Sequence, residues 1–280
     1  MKVILAGADG MLGSDMLDLL NTEDIDVKAL YYPDFDYARP ESVTKALQSE
    51  DFDVLINCTA YTRVDDCESN RKEAMLVNAD GPKMLADICR DKSALLVHFS
   101  TDYVFDGLKA EPYVESDLTG PINEYGRTKL EGEKRIIKSG VCHLIIRTSW
   151  LYGPNGPNFV ESMLKLGKTR SEVKVVNDQF GSPTYTKDLA QKSWEVINTG
   201  IEGITHINNQ GYCTWAEFAQ EIFAIAGIPV IVNKCRTEEY PTPAKRQKNS
   251  RLQNQRLIDE KIPLLRSWQD ALREYITKDE

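Results

Sequence analysis

Along the 280 residues, short apolar runs alternate with stretches whose apolar residues recur at helical spacing. Residues 3–6 (VILA) form an unbroken apolar run that leads into glycines, and 12–20 follow with a helical period. Residues 27–30 (VKAL), 53–57 (DVLIN), 95–99 (LLVHF) and 144–147 (LIIR) predict further strands, with helices over 41–49, 73–90 and 125–137. Strands apolar on both faces, alternating with helices, predict a doubly wound α/β fold: a parallel sheet covered on both sides. The second half is less regular. Helices are expected over 159–168, 186–197, 215–226 and 268–275, and strands over 173–177 and 203–208. Residues 236–256, rich in Pro, Lys, Arg, Gln and Asn, are expected to be mostly loop.

The first strand runs directly into Gly7-Ala8-Asp9-Gly10-Met11-Leu12-Gly13, a GxxGxxG at a strand-to-helix junction. In such a loop the first glycine permits a tight turn. The second lets the backbone approach a pyrophosphate, and the third lets helix pack on strand. The helix that follows presents free N–H groups and its positive dipole end to the phosphates. The pattern predicts a dinucleotide site. Such sites usually place an acid at the end of the second strand, on the ribose 2′-OH. Here that strand ends Leu30-Tyr31-Tyr32-Pro33, with neither acid nor arginine, and Asp36 is the candidate to reach the adenosine. The cofactor expected is therefore NADPH or NADH, with no choice between them.

Tyr125 and Lys129 are four apart in a helical stretch and so share a face. A phenol near pKa 10 is a poor acid–base catalyst at neutral pH, and a nearby ammonium favours its phenolate. Upstream, the fourth strand ends Ser100-Thr101-Asp102-Tyr103, placing hydroxyls and a carboxylate where ligands bind in parallel sheets. Thr101 can then hydrogen-bond a substrate carbonyl together with Tyr125.

Charge and composition narrow the partners. The net charge of −9 argues against nucleic acid and anionic membranes. Six cysteines lack any CxxC spacing, and His98, His143 and His206 are isolated and expected to be packing or surface residues, so no metal site is predicted. With no apolar stretch of membrane-spanning length, a cytoplasmic location is expected.

GADGMLG, NCTAYTRVDDCE, VNADGP, STDYVFDG, EYGRTKLEGE, RTSWLYG and DQFGSPTYTKDLA occur in that order over nearly the whole chain. Together they resemble the dTDP-4-dehydrorhamnose reductase family of extended short-chain dehydrogenases. The resemblance implies a Rossmann-type domain over 1–152, to which segments near 173–208 return, and a smaller, mainly substrate-binding domain over 153–280. It implies that Gly7, Gly10, Met11, Leu12 and Gly13 hold the pyrophosphate, and that Ala60, Tyr61 and Thr62 flank the cofactor's ribose and phosphates. It further implies that Thr101, Tyr125 and Lys129 are catalytic, with Asp102, Tyr103 and Trp150 lining the sugar site. Arg246 is a candidate for the nucleotide diphosphate, and Gln179 and Tyr185 for the cleft. The reaction implied is NAD(P)H-dependent reduction of the C4 ketone of dTDP-4-dehydro-β-L-rhamnose. Two other readings stay open: a reductase of another nucleotide 4-keto-6-deoxysugar, and a non-catalytic NADP-binding regulatory subunit of the same fold. Expected partners are a nucleotide sugar and a second copy of the chain.

Overall fold

The computed structural model describes residues 1–277. Its first half alternates as the apolar pattern predicts. The order is β1 (Lys2–Ala6), α1 (Met11–Thr22), β2 (Asp26–Leu30), α2 (Pro40–Leu47), β3 (Val54–Asn57), α3 (Val64–Ser69), α4 (Arg71–Met75), α5 (Gly81–Asp91), β4 (Leu95–Thr101), α6 (Glu124–Ser139) and β5 (His143–Thr148). There follow β6 (Leu151–Tyr152), α7 (Phe159–Gly167), β7 (Glu172–Val176), β8 (Phe180–Gly181), β9 (Thr184–Tyr185), α8 (Thr186–Thr199), β10 (Gly203–His206), β11 (Cys213–Thr214), α9 (Trp215–Ile225), β12 (Ile231–Cys235), α10 (Gln255–Asp259) and α11 (Trp268–Thr277).

Six strands form one sheet in the order β10-β5-β4-β3-β1-β2, every neighbouring pair parallel. Both faces are buried, which is why the strands read as continuous apolar runs. Val3, Leu5, Ile56, Val97 and Leu144 pack with α1 and α8 residues such as Met16, Leu20 and Leu189. Ile4, Ala6, Leu55, Leu96 and Ile145 pack on the opposite side with Val43, Leu85, Ala86 and Ile136. The strand order reverses between β1 and β3, the place where open α/β sheets bind ligands beyond their strand ends. A separate core joins Tyr152, Val160, Val173, Tyr185, Phe218, Phe223, Trp268 and Leu272.

Two elements differ from the sequence reading. The helix expected over 73–90 is interrupted by a π-turn at Leu76–Asp80. Pro82 has no N–H to give the carbonyl four residues back, that of Asn78, and its ring crowds it. That carbonyl lies against Gly132 of α6, where an added Cβ would come within 2.2 Å of it. Of the segments over 173–208, α8 packs on the main sheet and β10 joins its edge. β7 instead pairs in parallel with β12, a strand that follows it by more than fifty residues and that periodicity alone did not pick out.

Among the described residues, one ion pair is fully internal. Arg147 of β5 gives both Nε and Nη2 to the Glu133 carboxylate of α6, at 3.0 and 2.7 Å. Ser100 donates to the same carboxylate at 2.5 Å, and the guanidinium lies over the Phe105 ring. Removing one partner leaves the other charge buried and alone. Arg147→Met is therefore expected to destabilise the fold by about 3–5 kcal/mol, read as a fall in the urea-unfolding midpoint.

Candidate active site

The loop after β1 is built for close approach. A Cβ on Gly13 would lie 1.9 Å from the Gly7 carbonyl oxygen, so only glycine lets α1 start this near the strand. Gly10 is the N-cap of α1 and offers no side-chain cap, which leaves first-turn N–H groups for a ligand. A Cβ there would meet only the Gly7 carbonyl, at 3.3 Å. The residues present thus fit an anionic dinucleotide. Met11 begins α1, and Leu12 turns its side chain into the core. Across the loop, Thr59 lies against Gly7, followed by Ala60, the buried Tyr61 and the exposed Thr62. Asn78 in the π-turn accepts from Tyr61 N at 2.8 Å and donates to Thr128 of α6 at 3.1 Å, tying this wall to the helix that carries Tyr125 and Lys129. Asp36 is engaged inside its own loop: it accepts from Ala38 N at 2.9 Å and from the Arg39 guanidinium at 3.2 Å.

Helix α6 starts cleanly because Asn123 caps it, accepting from Gly126 N at 2.9 Å. Gly126 lets it press on the turn after β4, since a Cβ there would fall 2.1 Å from the Tyr103 carbonyl oxygen. Tyr125 and Lys129 are both buried on the inward face. The Tyr125 and Tyr103 rings meet edge-on at 5.5 Å. Thr101 donates to Asp102 Oδ1 at 2.9 Å and caps the following turn by accepting from Tyr103 N at 3.2 Å. Lys129 donates to the Phe99 carbonyl at 2.7 Å and lies 3.1 Å from His98 Nε2.

Burial dominates the electrostatics. It pushes the Asp102 carboxyl up to about 7, against the hydroxyls of Thr101 and Ser250. Burial, then the Asp102 charge, raises the Tyr125 phenol, with the Thr101 hydroxyl pulling the other way. Burial likewise draws Lys129 down to about 8, opposed by Glu133 and Cys58. The Tyr125 phenol therefore rests protonated.

Trp150, just past β5, adopts φ +48°, a left-handed conformation that a bulky residue holds only where its surroundings enforce it. Its ring stacks on Trp215 at 3.6 Å and 8°, and its Nε1 donates to Ser250 at 3.1 Å. Arg246 pairs with Asp65 at 2.9 Å, and its charge is felt by Tyr103. The long loop expected over 236–256 folds onto the site: Gln247 donates to the Asp102 carbonyl at 3.2 Å, and Asn123 donates to the Lys245 carbonyl at 2.8 Å. Of the two further cleft candidates, Gln179 donates to Thr237, whereas Tyr185 packs in the second core against Tyr152. His98 sits within the site itself, a position the sequence reading left to packing. Its only signal was its place three residues before Thr101 on an apolar strand.

A Rossmann sheet, a close-packed glycine loop after its first strand and a buried Tyr–Lys pair on α6 define a protein of the short-chain dehydrogenase/reductase class. The family model described as "RmlD substrate binding domain" matches residues 1–280, and the chain belongs to that family. It is 37% identical to a dTDP-4-dehydrorhamnose reductase of Sinorhizobium fredii, over 99% of this chain and 97% of that one. A solved dTDP-4-dehydrorhamnose reductase of Clostridium acetobutylicum has a TM-score of 0.95 at 43% identity, covering 99% of this chain and 98% of that one. One of Bacillus anthracis, solved in complex with NADP, has a TM-score of 0.96 at 38% identity and covers 99% of both.

The Asp102 carboxyl yields a pH test. In the native fold it keeps its proton up to about 7, whereas its ordinary value is 3.8. Folding therefore holds a proton between those two values, and the native protein loses stability as pH rises through that window. Asp102→Asn removes that loss. The unfolding free energy of the variant minus that of the parent is expected to climb from about pH 4 to about 7 and to be level outside that range. Urea titrations at stepped pH measure it.

Proposed function

We propose that the protein reduces the C4 ketone of dTDP-4-dehydro-β-L-rhamnose to dTDP-L-rhamnose with NAD(P)H. The observation that carries this reading is the convergence of Thr101, Tyr125 and Lys129 at the carboxyl end of β4, beside a glycine loop open to a dinucleotide. The names of the similar proteins supply the sugar.

Gly7, Gly10 and Gly13 with the first turn of α1 would hold the pyrophosphate, and Ala60, Tyr61 and Thr62 would flank it. When bound, the nicotinamide supplies hydride to the carbonyl carbon. Tyr125 gives its phenolic proton to the carbonyl oxygen as negative charge develops there. Thr101 supplies a second hydrogen bond to that oxygen once its hydroxyl rotates away from Asp102. Lys129 would hold the nicotinamide ribose. Trp150 forms an apolar wall for the deoxysugar, with Asp102 and Tyr103 beside it, and Arg246 lies where the diphosphate is expected. We place the reaction in the cytoplasm, with the chain able to pair as a homodimer.

A sister reading has support. The chain is 41% identical, over 80% of its length, to a dTDP-4-keto-6-deoxy-D-glucose reductase of Streptomyces niveus. Turnover of NAD(P)H with enzymatically prepared dTDP-4-dehydrorhamnose, and the stereochemistry of the product, separates the two and excludes a purely regulatory role if it proceeds.

Two outcomes are expected. Tyr125→Phe keeps the ring and the cofactor site but lacks the proton donor. Its kcat should fall about 10²–10⁴-fold while NADPH affinity by calorimetry is retained; an unchanged kcat would remove Tyr125 from the reaction. The loop after β2 carries no carboxylate at its strand end, and Arg39 is tied to Asp36 and the Pro33 carbonyl. NADPH and NADH are therefore expected to differ in kcat/KM by no more than about tenfold, roughly 1.4 kcal/mol. A preference above a hundredfold would assign discrimination to another residue.

A further inference from the structure

The Trp150 ring is held by contacts of different kinds. Its backbone stands at φ +48°, so no favoured backbone state settles where the side chain points. One face lies on Trp215, with centroids 3.6 Å and planes 8° apart. The edge that carries the nitrogen runs close against β8, where a Cβ on Gly181 would come within 2.5 Å of Nε1. Stacking fixes the plane of a ring. It says little about how the ring is turned within that plane, because dispersion between flat faces has no preferred direction. An indole has a single polar atom, a donor. Its hydrogen bond to Ser250 Oγ, at 3.1 Å, supplies the missing direction.

Ser250 is buried and has a fixed address. Its backbone N–H donates to the Phe180 carbonyl at 2.8 Å, and Phe180 N–H donates to the Lys248 carbonyl at 2.8 Å. Between them, Asn249 Nδ2 donates to the carbonyls of Lys109 and Glu111, at 2.7 and 2.8 Å. The Ser250 hydroxyl accepts from the indole and gives its own hydrogen to the Phe180 carbonyl at 3.1 Å. A hydroxyl can do both at once, and alanine can do neither. The same hydroxyl bears on the Asp102 carboxyl. Ser250 therefore stands between Trp150 and the Thr101 end of β4.

We propose that Ser250 is a positioning residue for sugar specificity: it sets how the Trp150 indole is turned, and so the shape of the wall offered to the sugar. The proposal rests on the reading above, in which Trp150 lines the sugar site. Ser250 acts through the ring, not on the sugar. Alanine at 250 takes away the acceptor of the indole N–H and frees the ring to turn. The bonds of Thr101 and Lys129 run elsewhere, to Asp102 and Tyr103 and to Phe99 and His98. The substrate should therefore bind less well and, once bound, react at nearly the parent rate. A rise in KM with kcat kept is the mark of lost binding that ground state and transition state share.

The contact can be read without substrate. The chain has 4 tryptophans, so ¹H–¹⁵N spectra show four indole signals, and the one missing in Trp150→Phe belongs to Trp150. In Ser250→Ala that signal should move to the position of an unbonded N–H while those of Trp194 and Trp268 stay in place. A Trp150 signal that does not move overturns the proposal. In turnover with dTDP-4-dehydrorhamnose, Ser250→Ala should raise KM about tenfold and nearly keep kcat. Ser250→Cys, close in size but a weak acceptor, should behave as the alanine variant does; a cysteine variant with the parent's KM would assign the effect to lost volume and overturn the proposal. Trp150→Phe keeps a flat ring without the N–H, so in that background Ser250→Ala should change KM no further. Effects that multiply would mean that the two residues act independently, as a merely structural role for Ser250 would have it. A parent that turns over no nucleotide ketosugar overturns the reading beneath, with the indole signal still deciding the contact. A parent that does turn it over, with KM unmoved in Ser250→Ala, overturns this proposal alone.

Discussion

Helix α6 can lie against the end of β4 only because residues 126 and 132 carry no side chain. At the first, a Cβ would strike the Tyr103 carbonyl, and at the second the Asn78 carbonyl. The close approach carries Tyr125 to Thr101 and Tyr103, and sends Lys129 through the helix–sheet interface to the Phe99 carbonyl. It also gives Asn78 a use. The π-turn that frees its carbonyl lets its amide link Tyr61, in the wall of the dinucleotide loop, to Thr128 of the same helix. Tyr125, Lys129 and the wall beside the glycine loop are thus fixed by the packing of one helix.

That packing takes charged groups out of water, and the sheet answers each in a different way. Glu133 and Arg147 neutralise one another in a two-bond pair that Ser100 joins. Asp102 is relieved by retaining its proton toward neutral pH. Lys129 is drawn below the usual lysine range. The interior next to Tyr125 is dry, and in such a region small changes in proton position have large effects on the phenol.

Most of the sheet was legible because both its faces are buried: unbroken apolar runs such as VILA and LLVHF can hardly be anything else when helical periods separate them. The tight glycine loop and the shared inward face of Tyr125 and Lys129 were legible because both follow from local spacing. What escaped was non-local. β12 is short, half exposed and paired with a distant strand, so its own sequence carries little period. The segment around Arg246 and Gln247 looked like solvated loop, and only the tertiary fold brings it over Asp102 and Tyr103. Asn57 and His98 lie on strands whose apolar neighbours conceal them. Each is a single polar residue in a run, and its partner lies on the neighbouring strand or on a helix. The break at the π-turn was written in Pro82, yet only the presence of Gly132 opposite explains why the chain tolerates it.

The paired indoles of Trp150 and Trp215 have a mechanical consequence. Trp150 follows the last strand of the main sheet before the chain enters the second core, and Trp215 opens the helix α9 that belongs to that core. Flat faces in contact slide past each other more readily than they part, so this joint resists opening like a hinge and yields, if at all, in shear. The hydrogen bond from Trp150 to Ser250 pins one plate of the joint in place. A joint braced in this way keeps the two cores at the spacing set at folding, in the manner of a gauge rather than a clamp.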